Sequence, residues 1–251
     1  MRVVTADDGA SWRVTFGVPP GNILDIRTLG ALSEMFRTAG RDRAVKAICL
    51  EGAGSHFSYG ASVEEHLPDR VAAMLAAVRG LAVDLVASAV VVVAAVRGRC
   101  LGGGLEVASL CHRVVAAPAA SLGQPEIALG VFAPVASIVL PERVGRGRAE
   151  ELLLTGRVVS SAEARTIGLV DETADDPADA ALAWIRRHLI GRSASSLRFA
   201  VRAARAALAD RLHRELPALE ALYLDGLMTT GDAVEGLKAF LEKRQPHWRH
   251  S

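Results

Sequence analysis

The chain has 251 residues, enough for one large domain or one domain with a small appendage. Its 29 Lys and Arg against 28 Asp and Glu leave a net charge of +1, without the basic excess expected of a protein whose main partner is nucleic acid. Apolar residues make up 51%, ample for a core, yet the longest apolar run (89–96) falls far short of the ~18 residues of a membrane span. Cys49, Cys100 and Cys111 form no C-x-x-C pair, which argues against a disulfide framework or a zinc knuckle and for a reducing, cytoplasmic setting. The first residues, M-R-V-V-T-A-D-D, lack the apolar stretch of a signal peptide.

W-R-V-T-F (12–16) alternates as a first strand, and P-P-G-N (19–22) is turn chemistry. Residues 26–39 have helical spacing, with Ile26, Leu29, Leu32, Met35 and Phe36 on one side. A-V-K-A-I-C-L-E (44–51) predicts a strand running into the loop G-A-G-S-H-F-S-Y-G-A-S (52–62). A helix is expected from Pro68 to about Gly80, with the pattern resuming after it. The run at 89–96 predicts a buried strand, followed by a glycine loop, C-L-G-G-G-L-E (100–106), and a helix from about Leu105. H-R-V-V-A-A-P (112–118) predicts another short strand, and 121–126 a turn or short strand. R-A-E-E-L-L-L-T-G (148–156) predicts a helix closed by Gly156. S-S-A-E (160–163) offers a capping box for the next one, and L-V-D-E (169–172) follows as a strand. From about 178 the chain is mostly helical; a D-A-V-E box at 232–235 is expected to open the last helix, to about Arg244. Short strands separated by helical segments predict an α/β protein with parallel strands.

The glycine triplet raises the chemical question. A strand entering G-G-G and then a helix exposes backbone N–H groups at the positive end of the helix dipole. That could hold a phosphate or a developing oxyanion, or simply allow close packing; neither nucleotide-loop spacing is present. Glu106 lies in the first helical turn, where the dipole alone favours a carboxylate. Glu126, 20 residues later in Q-P-E-I, leads into an apolar stretch that would raise its pKa and suit it to acid catalysis. The 52–62 loop could supply a second N–H group or be an ordinary connection. His56 and His66 could serve as general bases, but with no Ser/Asp partner pattern they are expected as loop or surface histidines, and Glu64 and Glu65 as a solvated helix start.

Taken in order, P-G-N-I-L-D (20–25), G-A-G-S-H-F-S-Y-G-A-S, L-G-G-G-L-E-V-A (101–108) and G-Q-P-E-I-A-L-G-V-F (123–132) resemble the crotonase, or enoyl-CoA hydratase/isomerase, superfamily. The resemblance covers nearly the whole chain. It implies a spiral of ββα units over 1–190 and a helical C-terminal oligomerisation region over 191–251, assembling as a homotrimer or homohexamer. Leu219, Leu222, Tyr223 and Leu227 would be interface or core. The substrate would be an acyl-CoA thioester, with coenzyme A part of the substrate, no further cofactor and no metal. Ala61 and Gly103 would supply the oxyanion-hole N–H groups, and Glu106 and Glu126 the acid–base pair. Possession of both glutamates favours water addition over isomerisation.

Residues 60–69, 124–136 and 222–248 are similar to the branch of the family that hydrates cyclic dienoyl-CoA thioesters. Phe132 and Pro134 would then shape a pocket wall for a ring, and Tyr59 and Gly60 would also bind substrate. Phe240 and Lys243 would lie near the CoA nucleotide, with a neighbouring subunit as one source, or belong simply to a solvated C-terminal helix. The competing readings are a hydratase for linear or branched enoyl-CoA, another chemistry of the family such as isomerisation, and a non-catalytic RNA-binding homologue. Ser62 stands where the family usually has Asp, and Tyr59 where it has a small residue.

Overall fold

The computed structural model describes residues 1–250. The strands are β1 (Arg2–Ala6), β2 (Ser11–Phe16), β3 (Ala47–Gly52), β4 (Val91–Val96), β5 (Arg99–Leu101), β6 (Arg113–Ala116), β7 (Ser121–Gly123), β8 (Val158–Ser160) and β9 (Glu172–Thr173). The helices are α1 (Ile26–Arg41), α2 (Val71–Ala87), α3 (Gly103–Leu110), α4 (Pro134–Val144), α5 (Arg146–Thr155), α6 (Ser161–Thr166), α7 (Pro177–Ile185), α8 (Ala194–Ala221) and α9 (Gly231–Leu241). A six-stranded sheet runs β1-β2-β3-β4-β6-β9, and a three-stranded sheet runs β5-β7-β8. In the larger sheet β1 is antiparallel to β2 and all other pairs are parallel.

The unbroken apolar run of β4 has a simple cause: both faces of the strand are covered. Val92, Ala94 and Val96 join the main core with Ile48 and Leu50 of β3 and the apolar sides of α1, α2, α3 and α4. Val91, Val93 and Ala95 point the other way, onto Ala178, Ala181 and Ile185 of α7 and Val201 of α8. This is the two-residue period of a pleated strand serving two cores at once. A third cluster joins Val71, Met74 and Leu75 of α2 to Val131, Tyr223, Ala233 and Leu237. Arg198 of α8 ties that helix to the last turn of α1, donating to the carbonyls of Gly40 at 2.8 Å and Ala39 at 3.0 Å.

Several expectations hold. Ser160 caps α6 by accepting from the Glu163 N–H at 3.2 Å, and Gly156 ends α5 in the left-handed region at φ +67°. Others need correction. The helix expected to pause at Gly80 is one continuous α2. L-V-D-E contributes only its last residue to β9; Asp171 instead accepts the Val114 N–H at 2.7 Å. The last helix is capped by Thr230, not Asp232, and ends at Leu241. Asp232 and Glu235 are occupied by the returning C-terminal chain, Asp232 by the Arg249 and His250 N–H groups and Glu235 by that of His247. Glu65 is not a solvated helix start, since its Oε2 accepts the first N–H of α1, from Ile26, at 2.8 Å.

α4 was not expected at all. Its first residue is Pro134, which fits because a helix does not use its first N–H groups. Its N-cap position is Ala133, which has no side chain able to cap. The missing acceptor comes from elsewhere in the chain.

Candidate active site

That acceptor is Glu106. It lies in the first turn of α3, only 6% exposed, and its Oε1 takes the Ala136 N–H at 2.8 Å. A carboxylate from α3 thus serves the N-terminus of α4, where unpaired donors and the helix dipole favour negative charge. Burial still dominates and pushes its pKa up to about 7, against the pull of the Ala136 and Val135 N–H groups.

Glu126 arrives by another route. Pro125 opens a tight 3₁₀ turn, Pro125–Leu129, closed by Gly130 in the left-handed region. Its Oε2 is buried without a hydrogen-bond partner. Burial, then the charge of Glu106, pushes its pKa up to about 8. At neutral pH this carboxyl holds its proton more firmly than Glu106 does. Two carboxyls with different supports are suited to opposite roles in proton transfer.

The glycine triplet fits between them. Gly102 has φ +51°, and a Cβ there would lie 2.6 Å from Glu126 Oε1. A Cβ on Gly103 would lie 3.2 Å from the Ala61 nitrogen, and one on Gly104 only 2.7 Å from Ser58 Cβ. The three bare positions thus make room for Glu126, for the Ala61 N–H and for the packing of the two loops. Ser58 holds the first loop, accepting the Gly60 N–H at 3.0 Å and donating to the Asn22 carbonyl at 2.8 Å. Among the described residues, neither the Ala61 nor the Gly103 N–H donates to a backbone acceptor.

These groups line one cavity of about 460 Å³. Its wall contains Tyr59, Gly60, Ala61, Gly103, Glu106 and Glu126, together with Phe132 and Pro134. Phe240, more than half exposed, stands at the mouth of this chain's own cavity. Lys243 lies outside, in a shallow surface pocket shared with Phe240 and Arg244.

The sequence pattern alone does not place three further wall residues. Tyr223 is fully buried, its ring 5.1 Å from that of Phe132. Its position in an apolar helical stretch suggested only core or interface. His66 is not a surface histidine: it lines the cavity, and its Nδ1 lies 2.7 Å from the Ser62 carbonyl. A carbonyl only accepts, so Nδ1 carries the proton and Nε2 is the free acceptor. Burial lowers its pKa. Arg99 sits over the Tyr59 ring at 5.3 Å, at the same wall. For His66 the available signal was its place four residues after Ser62. His56, by contrast, is structural, its Nδ1 accepting the Arg99 N–H at 3.0 Å.

Residues 9–251 match the enoyl-CoA hydratase/isomerase family. The chain is 48% identical over 250 residues to a cyclohexa-1,5-dienecarbonyl-CoA hydratase of Thauera aromatica, covering 100% of this chain and 97% of that protein. It is 34% identical to a probable enoyl-CoA hydratase of Bacillus subtilis, covering 94% of each. Among solved structures, a putative enoyl-CoA hydratase of Mycobacterium avium paratuberculosis superposes with a TM-score of 0.88 at 28% identity, over 99% of this chain and 98% of that one. Human mitochondrial delta3-delta2-enoyl-CoA isomerase shares the fold, with a TM-score of 0.87 at 24% identity over 96% of each chain. Fold, motif order and full-length similarity agree: the chain belongs to the enoyl-CoA hydratase/isomerase, or crotonase, family.

Proposed function

We propose that this protein is a hydro-lyase that adds water to cyclohexa-1,5-diene-1-carbonyl-CoA, giving 6-hydroxycyclohex-1-ene-1-carbonyl-CoA. One observation carries the chemistry: two buried glutamates, one anchored and one free, share a cavity with two unpaired N–H groups. The 48% identical relative supports the substrate, as does a wall built from the rings of Phe132 and Tyr223.

The thioester oxygen lies against the Ala61 and Gly103 N–H groups. Glu106, the carboxyl that ionises more readily, takes a proton from water. The hydroxide oxygen bonds to the ring carbon β to the carbonyl, and the electron pair moves into an extended enolate. The two N–H groups hold that charge; loss of one such donor costs about 10²–10³ in rate. Glu126 then delivers its proton to the far end of the diene, and the remaining double bond settles next to the carbonyl. Water is thereby divided into the added hydroxyl and a proton on Glu106, while Glu126 is left ionised. Exchange with solvent resets both, and dehydration runs the steps backwards.

The deciding measurement is turnover of the cyclic dienoyl-CoA against crotonyl-CoA, with the product identified. Preference for the cyclic thioester is expected. Preference for crotonyl-CoA would replace the substrate and leave the acid–base assignment standing.

We also assign an assembly of three copies, alone or paired as six. Ile127, Leu154 and Leu222 are exposed on one shallow groove with Leu153 and Leu219, a face that a second copy would cover. Light scattering reads this directly. Three buried free thiols fit a reducing compartment, and we assign the protein to the cytoplasm.

A further inference from the structure

We infer that the Tyr223 hydroxyl is the donor that steadies Glu126 once Glu126 has released its proton, which makes Tyr223 a positioning residue of the reaction chamber. The inference rests on the two-glutamate reading above and adds a third polar group to it.

The observations begin with where Tyr223 sits. The long α8 ends at Ala221 and widens into a π-type turn, Leu222–Gly226, of a kind that often marks functional sites. That turn places Tyr223 on the cavity wall with no exposed surface. Its hydroxyl has no hydrogen-bond partner. An unpaired buried hydroxyl is costly, and Phe would fill the same space beside Phe132 without that cost. Only one other buried side-chain atom of the cavity wall lacks a partner among the described residues: Oε2 of Glu126. One orphan is a donor and the other an acceptor on the same cavity wall, and the phenol feels the charge of Glu126 more strongly than that of Glu106.

The remaining charged and titratable groups of the wall have partners or lie at the mouth. Glu106 takes the Ala136 N–H, His66 gives its Nδ1 proton to Ser62, Arg99 stacks on Tyr59, and Arg244 pairs with Glu235 at 2.9 Å. None of them donates to the Glu126 carboxyl in this structure. Burial raises the Tyr223 pKa, and the charges of Glu126 and then Glu106 raise it further, so the phenol stays protonated and able to donate. The need arises only when Glu126 becomes a buried anion, which is the state left after proton delivery.

Tyr223→Phe tests this while keeping the ring against Phe132. The expected variant melts at or above the wild-type temperature, because it loses an unpaired hydroxyl. Its kcat for hydration falls about tenfold, the scale of one hydrogen bond to a charged group, with KM unchanged. The alkaline limb of its kcat profile moves to higher pH, because the anion of Glu126 has lost its donor. In a Glu126→Gln background the same change has no further effect. Wild-type kcat with an unmoved alkaline limb overturns the inference, as does an equal loss of kcat in the Glu126→Gln background. Wild-type turnover by Glu126→Gln alone removes the acid–base reading itself, a distinct result.

Discussion

Glu106 and Glu126 face one cavity but are held in opposite ways. Glu106 sits on a regular helix and is fixed by the N-terminus of a second helix. Glu126 sits on a tight turn between a proline and a left-handed glycine, with one oxygen unpaired. The first is a structural cap as well as a candidate base; the second carries no packing duty that the structure reveals. One carboxyl thus ties two helices together, while the other keeps an unpaired oxygen on the cavity wall.

The largest expected effect tests whether both are chemically required. Glu106→Gln and Glu126→Gln should each lower hydratase kcat by about 10²–10⁴, the usual worth of a positioned acid or base, while still binding acyl-CoA. Steady-state kinetics with a binding titration reads both, and near-wild-type turnover in either variant removes that residue from the pair. The comparison sharpens in the melting curves. Glu106→Gln should lose stability by about 1 kcal/mol, because a neutral amide oxygen accepts the Ala136 N–H less strongly than a carboxylate does. Glu126→Gln should not.

An intermediate effect is expected from Gly102→Ala. The new methyl meets Glu126 Oε1 at 2.6 Å on a backbone with φ +51°, so the carboxyl must move. The variant should lose kcat at least tenfold at its pH optimum. Unchanged kcat would show that the free glutamate tolerates displacement.

The remaining effect is on stability against pH. The folded-state pKa values of Glu106 and Glu126 are raised, to about 7 and about 8, above the ordinary 4.5. Between those values the folded chain binds more protons than the unfolded one, so stability is fully present below about 4.5 and declines as pH rises through 7 to 8. Glu126→Gln should therefore melt above wild type at pH 9 and close to it at pH 4. An equal difference at both values would contradict the buried, free state of Glu126.

Much of this was legible in the sequence. The order of the two glycine loops and the two glutamates resembles one family, and the full-length similarity agrees. The β4 run, the α1 spacing and the Ser160 cap followed from local chemistry, because apolar periodicity and side-chain caps act over a few residues. The D-A-V-E box failed by the same local logic. Its acidic residues bind the C-terminal chain, a contact that spacing alone does not encode.

By itself, then, the sequence determined the α/β pattern, the two glycine loops and the two carboxyls. The tertiary structure decided what each carboxyl is held by. α4 lacks a local cap, so its place depends on an acceptor supplied from 30 residues upstream. Tyr223 is apolar-looking on its helix, and only the π-type turn and the packing of α2 and α9 bring its hydroxyl to the cavity. The physical reason is the same in both cases. Burial and unmet hydrogen bonds are properties of a three-dimensional neighbourhood, and neighbours far apart in sequence set them.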